Sequence, residues 1–76
     1  REMRVLVQIH PGNGEQIIPP QLQLSYLDEN GAILRTVIAR NNDDYIQLPA
    51  FTCSIGTEFS IQLQLNRYLM IERFVV

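Results

Sequence analysis

Residues 21–39, QLQLSYLDENGAILRTVIA, decide the fold class of this chain. Leu22, Leu24 and Tyr26 alternate with polar residues, so an extended strand here has one apolar and one polar side. Residues 28–31 separate this run from a second apolar run. An Asn-Gly pair between two such runs is the strongest short-range hairpin signal. The sequence therefore predicts an antiparallel β protein.

The rest of the chain has the same short extended segments and no sustained helical period. We predict further strands over residues 3–10, 45–48, 58–65 and 68–76. Residues 51–56 are predicted to form an irregular crossover, with Phe51 and Ile55 closing one end of the core. Residues 11–14 and Pro49 end their strands, because proline cannot donate a hydrogen bond to a ladder.

These segments predict an all-β domain of about six or seven strands. An isolated hairpin is not stable, so two layers are needed to bury the apolar positions of the alternating strands. Those positions are Leu22, Leu24, Phe59, Ile61 and Leu63. We predict an antiparallel two-sheet sandwich of immunoglobulin-like or prealbumin-like type, in which Gln62 and Gln64 face solvent.

Composition limits the function. The 76 residues predict one domain over residues 1–76, and the net charge of −2 gives no electrostatic footprint for nucleic acid or an anionic membrane. No apolar run approaches the ~18 residues that span a bilayer. Every cation is an arginine, so the lysines that often guard sheet edges are missing. The first residue is not methionine, and we expect the chain to be part of a longer protein.

The sequence contains few residues that could act in catalysis. His10 and Cys53 are the single histidine and the single cysteine, which makes an internal disulfide impossible. A cysteine–histidine pair would need both side chains and an orienting acid in one place, and no known signature surrounds either residue. The alternative is that His10 caps a strand end and Cys53 packs as a small apolar residue. This structural role for both residues predicts that the domain is not an enzyme and uses no cofactor.

Residues 41–44, NNDD, have oxygen ligands that calcium accepts. The stretch lacks the spaced acidic pattern of a calcium loop, and Asn and Asp also favour turns because they bond to their own backbone. We predict a turn and no metal site.

Four glutamines form the candidate binding face. Alternation places Gln21 and Gln23 on the polar side of one strand, and Gln62 and Gln64 on the polar side of another. If these strands pair, they form an uncharged, amide-rich face that can hydrogen-bond a carbohydrate. The alternative is a solvated exterior, which every half-buried strand has.

Two family resemblances follow from these motifs. A first set of motifs resembles the repeat of prealbumin-like and carboxypeptidase-regulatory-like domains: Leu22, Leu24, residues 27–31, residues 33–34 and residues 44–48. A wider set of motifs resembles the C-terminal region of a cyanobacterial family of uncharacterised proteins: residues 7–11, 14–16, 19–22, 27–31, 45–48 and 56–61. The second resemblance implies a C-terminal domain of a larger cytoplasmic protein and assigns no activity to any residue.

We therefore predict a non-catalytic interaction or packing module. Its partners would be other domains of the parent protein or a second protein chain, with weak homo-oligomerisation as one arrangement. The alternative function is a carbohydrate-binding module that uses the glutamine face. An exposed aromatic platform would favour carbohydrate, and a long unpaired strand edge would favour a polypeptide partner.

Overall fold

The computed structural model describes residues 1–76 and is built of β-strands without a helix. It contains eight strands, somewhat more than the sequence predicts, because one predicted strand is broken in two and one predicted loop is a strand. The strands are β1 (Glu2–Val5), β2 (Gln8–Ile9), β3 (Gln23–Leu27), β4 (Ile33–Ile38), β5 (Ile46–Gln47), β6 (Phe51–Ser54), β7 (Glu58–Leu65) and β8 (Tyr68–Val75).

The main sheet has four antiparallel strands in the order β4-β3-β7-β8. In the centre, Leu24 of β3 lies across from Leu63 of β7, and Tyr26 lies across from Ile61. Because directly paired residues point to the same side of a sheet, these four side chains share one face. This face is the inner face of the main sheet.

The hairpin between β3 and β4 confirms the prediction from residues 28–31. The Gly31 N–H donates to the Asp28 carbonyl at 3.0 Å, and the Asp28 N–H donates to the Ala32 carbonyl at 2.9 Å. Gly31 has a φ of 85°, whereas Asn30 does not have a positive φ. The turn is therefore a three-residue loop with Gly31 in the left-handed position, the longer of the two hairpin arrangements that an Asn-Gly pair allows.

The other four strands form two short antiparallel ladders, β1 with β6 and β2 with β5, which together are termed the second layer. The predicted first strand over residues 3–10 is interrupted at Leu6 and Val7. Before the interruption the chain pairs with β6, and after it the chain pairs with β5. The predicted crossover over residues 51–56 is wrong in its first part, because Phe51–Ser54 is strand β6. Its residues pair with β1, a long-range contact that local sequence does not indicate.

The core combines residues of the main sheet, of the second layer and of the segments between the strands. It contains nine buried residues, which are Ile18, Leu22, Leu24, Ala39, Ile46, Leu48, Cys53, Phe59 and Ile61. Four of the five predicted core residues belong to it. The fifth, Leu63, is only partly buried and packs against it. Both layers contribute, since Cys53 and Ile46 come from the short ladders and Phe59 from β7.

Two burial predictions need correction, and the burial of Ile18 was not predicted. Ile55, predicted to close the core, is 57% exposed, because it lies in the turn after β6. Ile18 is 1% exposed, and its N–H donates to the Asp43 carbonyl, so the segment before the proline pair is part of the core. Ser25, predicted to face solvent, is 2% exposed and its Oγ hydrogen-bonds to Thr36 Oγ1 at 2.8 Å.

Candidate interaction surface

The structure brings three of the four predicted glutamines together. Gln23 on β3 lies directly across from Gln64 on β7, and Gln62 lies across from Ser25. These residues occupy the outer face of the main sheet, opposite the core. Gln21 precedes β3 and has a φ of 74°, and its N–H donates to the Ala39 carbonyl. Gln21 is therefore outside the strand whose alternation was expected to place it on this face.

The outer face has no aromatic ring among its strand residues. Tyr26, Phe59 and Phe74 belong to the inner face, where Tyr26 contacts both Phe51 and Phe59. The glutamines are bordered by exposed aliphatic side chains, including Ile38 on β4 and Ile71 on β8. The stacking platform that a sugar-binding site commonly uses is thus missing from this face.

His10 and Cys53 have separate partners. The His10 ring stacks on Tyr45 with centroids 5.5 Å apart, and its Nε2 lies 3.1 Å from Gln8 Oε1. The buried Cys53 thiol lies 3.9 Å from the Tyr26 hydroxyl. Burial, followed by this contact with Cys53, raises the pKa of Tyr26 above 10.0. Neither group has the neighbours of a nucleophile–base pair, and no three metal-ligating side chains cluster anywhere in the chain.

The loop over residues 41–44 is closed by its own hydrogen bonds. Asp43 Oδ2 accepts the Arg40 backbone N–H at 2.7 Å, and Oδ1 accepts from the Arg40 guanidinium at 3.1 Å. These bonds hold the pKa of Asp43 below 3.8, the backbone bond contributing most. The Asp43 carboxylate therefore organises a turn, as asparagine and aspartate commonly do.

Strand β8 is exposed along its whole length. All eight of its residues are exposed, and it pairs only with β7, so its other edge has no hydrogen-bonding partner strand. Five of its side chains are large exposed aliphatic or aromatic groups in addition to Tyr68: Leu69, Met70, Ile71, Phe74 and Val75. An exposed, unpaired and apolar edge strand is a template for pairing with another chain.

An open apolar groove of about 380 Å³ lies beside β8. One wall is formed by residues 5–9 of the second layer, and the other by the inner faces of β7 and β8, including Met70, Glu72 and Phe74. Nine of its eleven lining residues are hydrophobic, so the groove favours an apolar occupant.

The groove exists because the two layers differ in width. The main sheet is four strands wide, whereas each ladder of the second layer is two strands wide. Residues 48–51 lie beside Tyr26 and Leu34, over β3 and β4, and residues 5–9 lie beside β7. The inner face of β8 borders the groove, and Phe74 is 42% exposed although it stacks on buried Phe59.

Sequence reasoning predicted the last strand and its apolar character but not the groove. The signal is the pattern YLMIERFV, which is apolar at both parities and has no clearly solvated side. A strand that is apolar on both sides is typically buried on both faces of its sheet. Residues 68–75 could therefore have been identified as a strand that needs further cover.

These features define a small all-β domain with an exposed strand edge beside an apolar groove. The sequence profile of DUF1822, described as a protein of unknown function, matches residues 1–75, and the chain belongs to this family. No curated protein and no solved structure matched the chain. The structure contains no helix that is both long enough and apolar enough to span a membrane.

Proposed function

We propose that this domain is a non-catalytic module that binds another polypeptide by strand addition at β8 and the adjoining groove. The observation that carries the proposal is β8 itself, eight exposed residues with one free edge next to an apolar groove. Strand addition obtains its affinity from main-chain hydrogen bonds and its specificity from pockets for alternate side chains. Both elements are present here.

The proposal includes three finer statements. The two layers form a β-sandwich of the immunoglobulin-like or prealbumin-like kind, supported by a core to which both layers contribute. The domain serves a longer, cytoplasmic protein, as the resemblance of its motifs implies. The partner is another domain of that protein or a second chain. None of the three is needed for strand addition itself.

Selection from a random peptide library displayed on phage tests the proposal. We expect the domain to enrich peptides in which apolar residues alternate with polar ones. Met70→Glu should abolish their binding, because it places a charge on the inner face of β8. Ile38→Glu is the matched control, since Ile38 is similarly exposed but lies on β4 at the other edge of the main sheet. Failure to enrich any peptide, or equal loss in both variants, would overturn the proposal.

A second candidate is carbohydrate binding on the outer face, which the juxtaposition of Gln23, Gln62 and Gln64 favours. The absence of an aromatic ring from that face ranks it below strand addition. A glycan array probed in parallel distinguishes the two functions. A reproducible glycan signal that Gln62→Ala together with Gln64→Ala removes, without any peptide enrichment, would reverse the ranking.

A further inference from the structure

Along the groove, the backbone of β1 and of the segment after it has N–H and C=O groups that can bond to another strand. The N–H group of Leu6, between β1 and β2, donates to no backbone acceptor, whereas the Val7 carbonyl accepts from Leu48 and so directs the backbone groups of Val7 toward β5. The Arg1 carbonyl accepts from Ile55, so residue 1 and every second residue after it bond toward β6. Glu2 and Arg4 consequently direct their backbone groups away from β6, toward the edge of β1 that has no partner strand.

The groove also has one charge. Glu72 is the single ionisable residue that lines it, and it forms no salt bridge, whereas Glu58 on the outer face pairs with Arg73 at 3.7 Å. Glu72 lies directly across from buried Ile61 and between Met70 and Phe74 on the inner face of β8. An occupant that covered this carboxylate with apolar atoms alone would bury an unpaired charge, which is costly.

We propose that the groove binds an extended polypeptide segment that adds as a third strand to the free edge of β1 and β2 and places a basic side chain against Glu72. The inference rests on the proposed function for the binding of a polypeptide at the groove, and it adds a second edge, that of β1 and β2, together with the chemistry of the partner. The segment lies above β8 rather than beside it in the main sheet.

The residues that line the groove determine which side chains the bound segment should direct inward. Met70, Glu72 and Phe74 recur at every second residue, so an extended occupant meets them in the order apolar, charged, apolar. The complementary segment alternates, with an arginine or lysine between two aliphatic residues on its inward side and polar residues on its outward side. Arginine suits the site best, because its guanidinium binds a carboxylate through two hydrogen bonds.

The test uses the blocked synthetic peptide SVTRTISV, whose inward side is valine, arginine, isoleucine and valine, and the same peptide with glutamate in place of arginine. Calorimetry measures the Kd of each for the whole domain and for Glu72→Gln. We expect the arginine peptide to bind more tightly to the native domain by about five-fold or more, the size of a partly exposed ion pair. Glu72→Gln should remove that preference.

Glu58→Gln is the matched control, because it makes the same change on the outer face of the same sheet, and the preference for arginine should survive it. Amide exchange measured by NMR locates the peptide, and the N–H groups of Arg4 and Leu6 should become protected.

Three results overturn the inference. Peptides that bind without an arginine preference and protect only β8 place the added strand in the main sheet, which leaves the proposed function standing. Protection of the N–H groups of Arg4 and Leu6 by raised domain concentration alone would show that a second copy of the domain occupies the groove. Absence of arginine-peptide binding, while library peptides still bind at β8, shows that the groove takes a different side-chain pattern.

Discussion

The Ser25 hydroxyl is buried on the outer face of the main sheet and hydrogen-bonds to Thr36 across the β3–β4 pair, with 2.8 Å between the two oxygens. Ser25 is 2% exposed and Thr36 is exposed, so the two partners do not depend equally on the bond. Thr36 can bond to water instead, whereas Ser25 has no comparable access.

Thr36→Val should therefore destabilise the domain more than Ser25→Ala. The valine leaves a buried hydroxyl without its partner, which costs about 1–3 kcal/mol. The double variant should recover most of this loss, because it removes both polar groups. Urea denaturation of the two single variants and the double variant measures the coupling. Strictly additive losses would show that the hydrogen bond is not formed in solution.

Gly31→Val should destabilise the hairpin. Gly31 has a φ of 85° with open space around the position of a Cβ, so the cost comes from backbone conformation and not from a clash. We expect the free energy of unfolding to fall by about 1–2 kcal/mol, and the β-branched valine should place the loss at the upper end of this range. Gly31→Asn is the control, because asparagine tolerates the left-handed region, and it should retain most of the stability in thermal unfolding. Equal losses would argue against this turn geometry.

Phe59→Ala and Phe74→Ala should separate the covered and uncovered parts of the inner face. The two rings stack at 5.5 Å, yet Phe59 is 6% exposed and Phe74 is 42% exposed. Phe59→Ala should cost about 3–5 kcal/mol, and Phe74→Ala clearly less, because solvent already reaches its ring. Gln64→Ala, on the outer face, should cost under about 0.5 kcal/mol. Chemical denaturation compares the three, and a larger loss for Phe74 would contradict the open groove.

Asp43 should titrate below 3.8 and should do so even without the Arg40 side chain. The largest cause of its lowered pKa is the Arg40 backbone N–H, which Arg40→Ala leaves in place. A folded-state pKa below the unfolded value makes the contribution to stability complete at neutral pH and lost as the pH falls through the folded pKa. NMR titration of the carboxyl in both proteins checks this. A return to 3.8 in Arg40→Ala would assign the effect to the side chain.

Short-range sequence patterns predicted the turns and strands that neighbouring residues determine. The turn at Gly31 and the alternation of Phe59 and Ile61 on β7 needed only neighbouring residues. The pairing of β6 with β1 joins residues about fifty positions apart, and no local pattern at Phe51–Ser54 indicates it. The burial of Ile18 is likewise set by distant residues.

The candidate surface was predictable only in part. Gln23, Gln62 and Gln64 share a face because strand parity holds once β3 and β7 pair. Gln21 departs from it because its backbone is in the left-handed region before the strand begins. The groove depends on the relative widths of two layers, which is a property of the assembled topology and not of any one segment.

One consequence concerns the attachment of β8. The strand is bonded to β7 alone, and none of the nine buried core residues lies on it. Its detachment would break one ladder and leave the remaining core assembled. Such an opening has a smaller free energy than global unfolding, so the amides of β8 should exchange with solvent ahead of those of β3. While β8 is detached, β7 becomes a vacant acceptor, and a strand of similar pattern from another molecule could replace β8 in register.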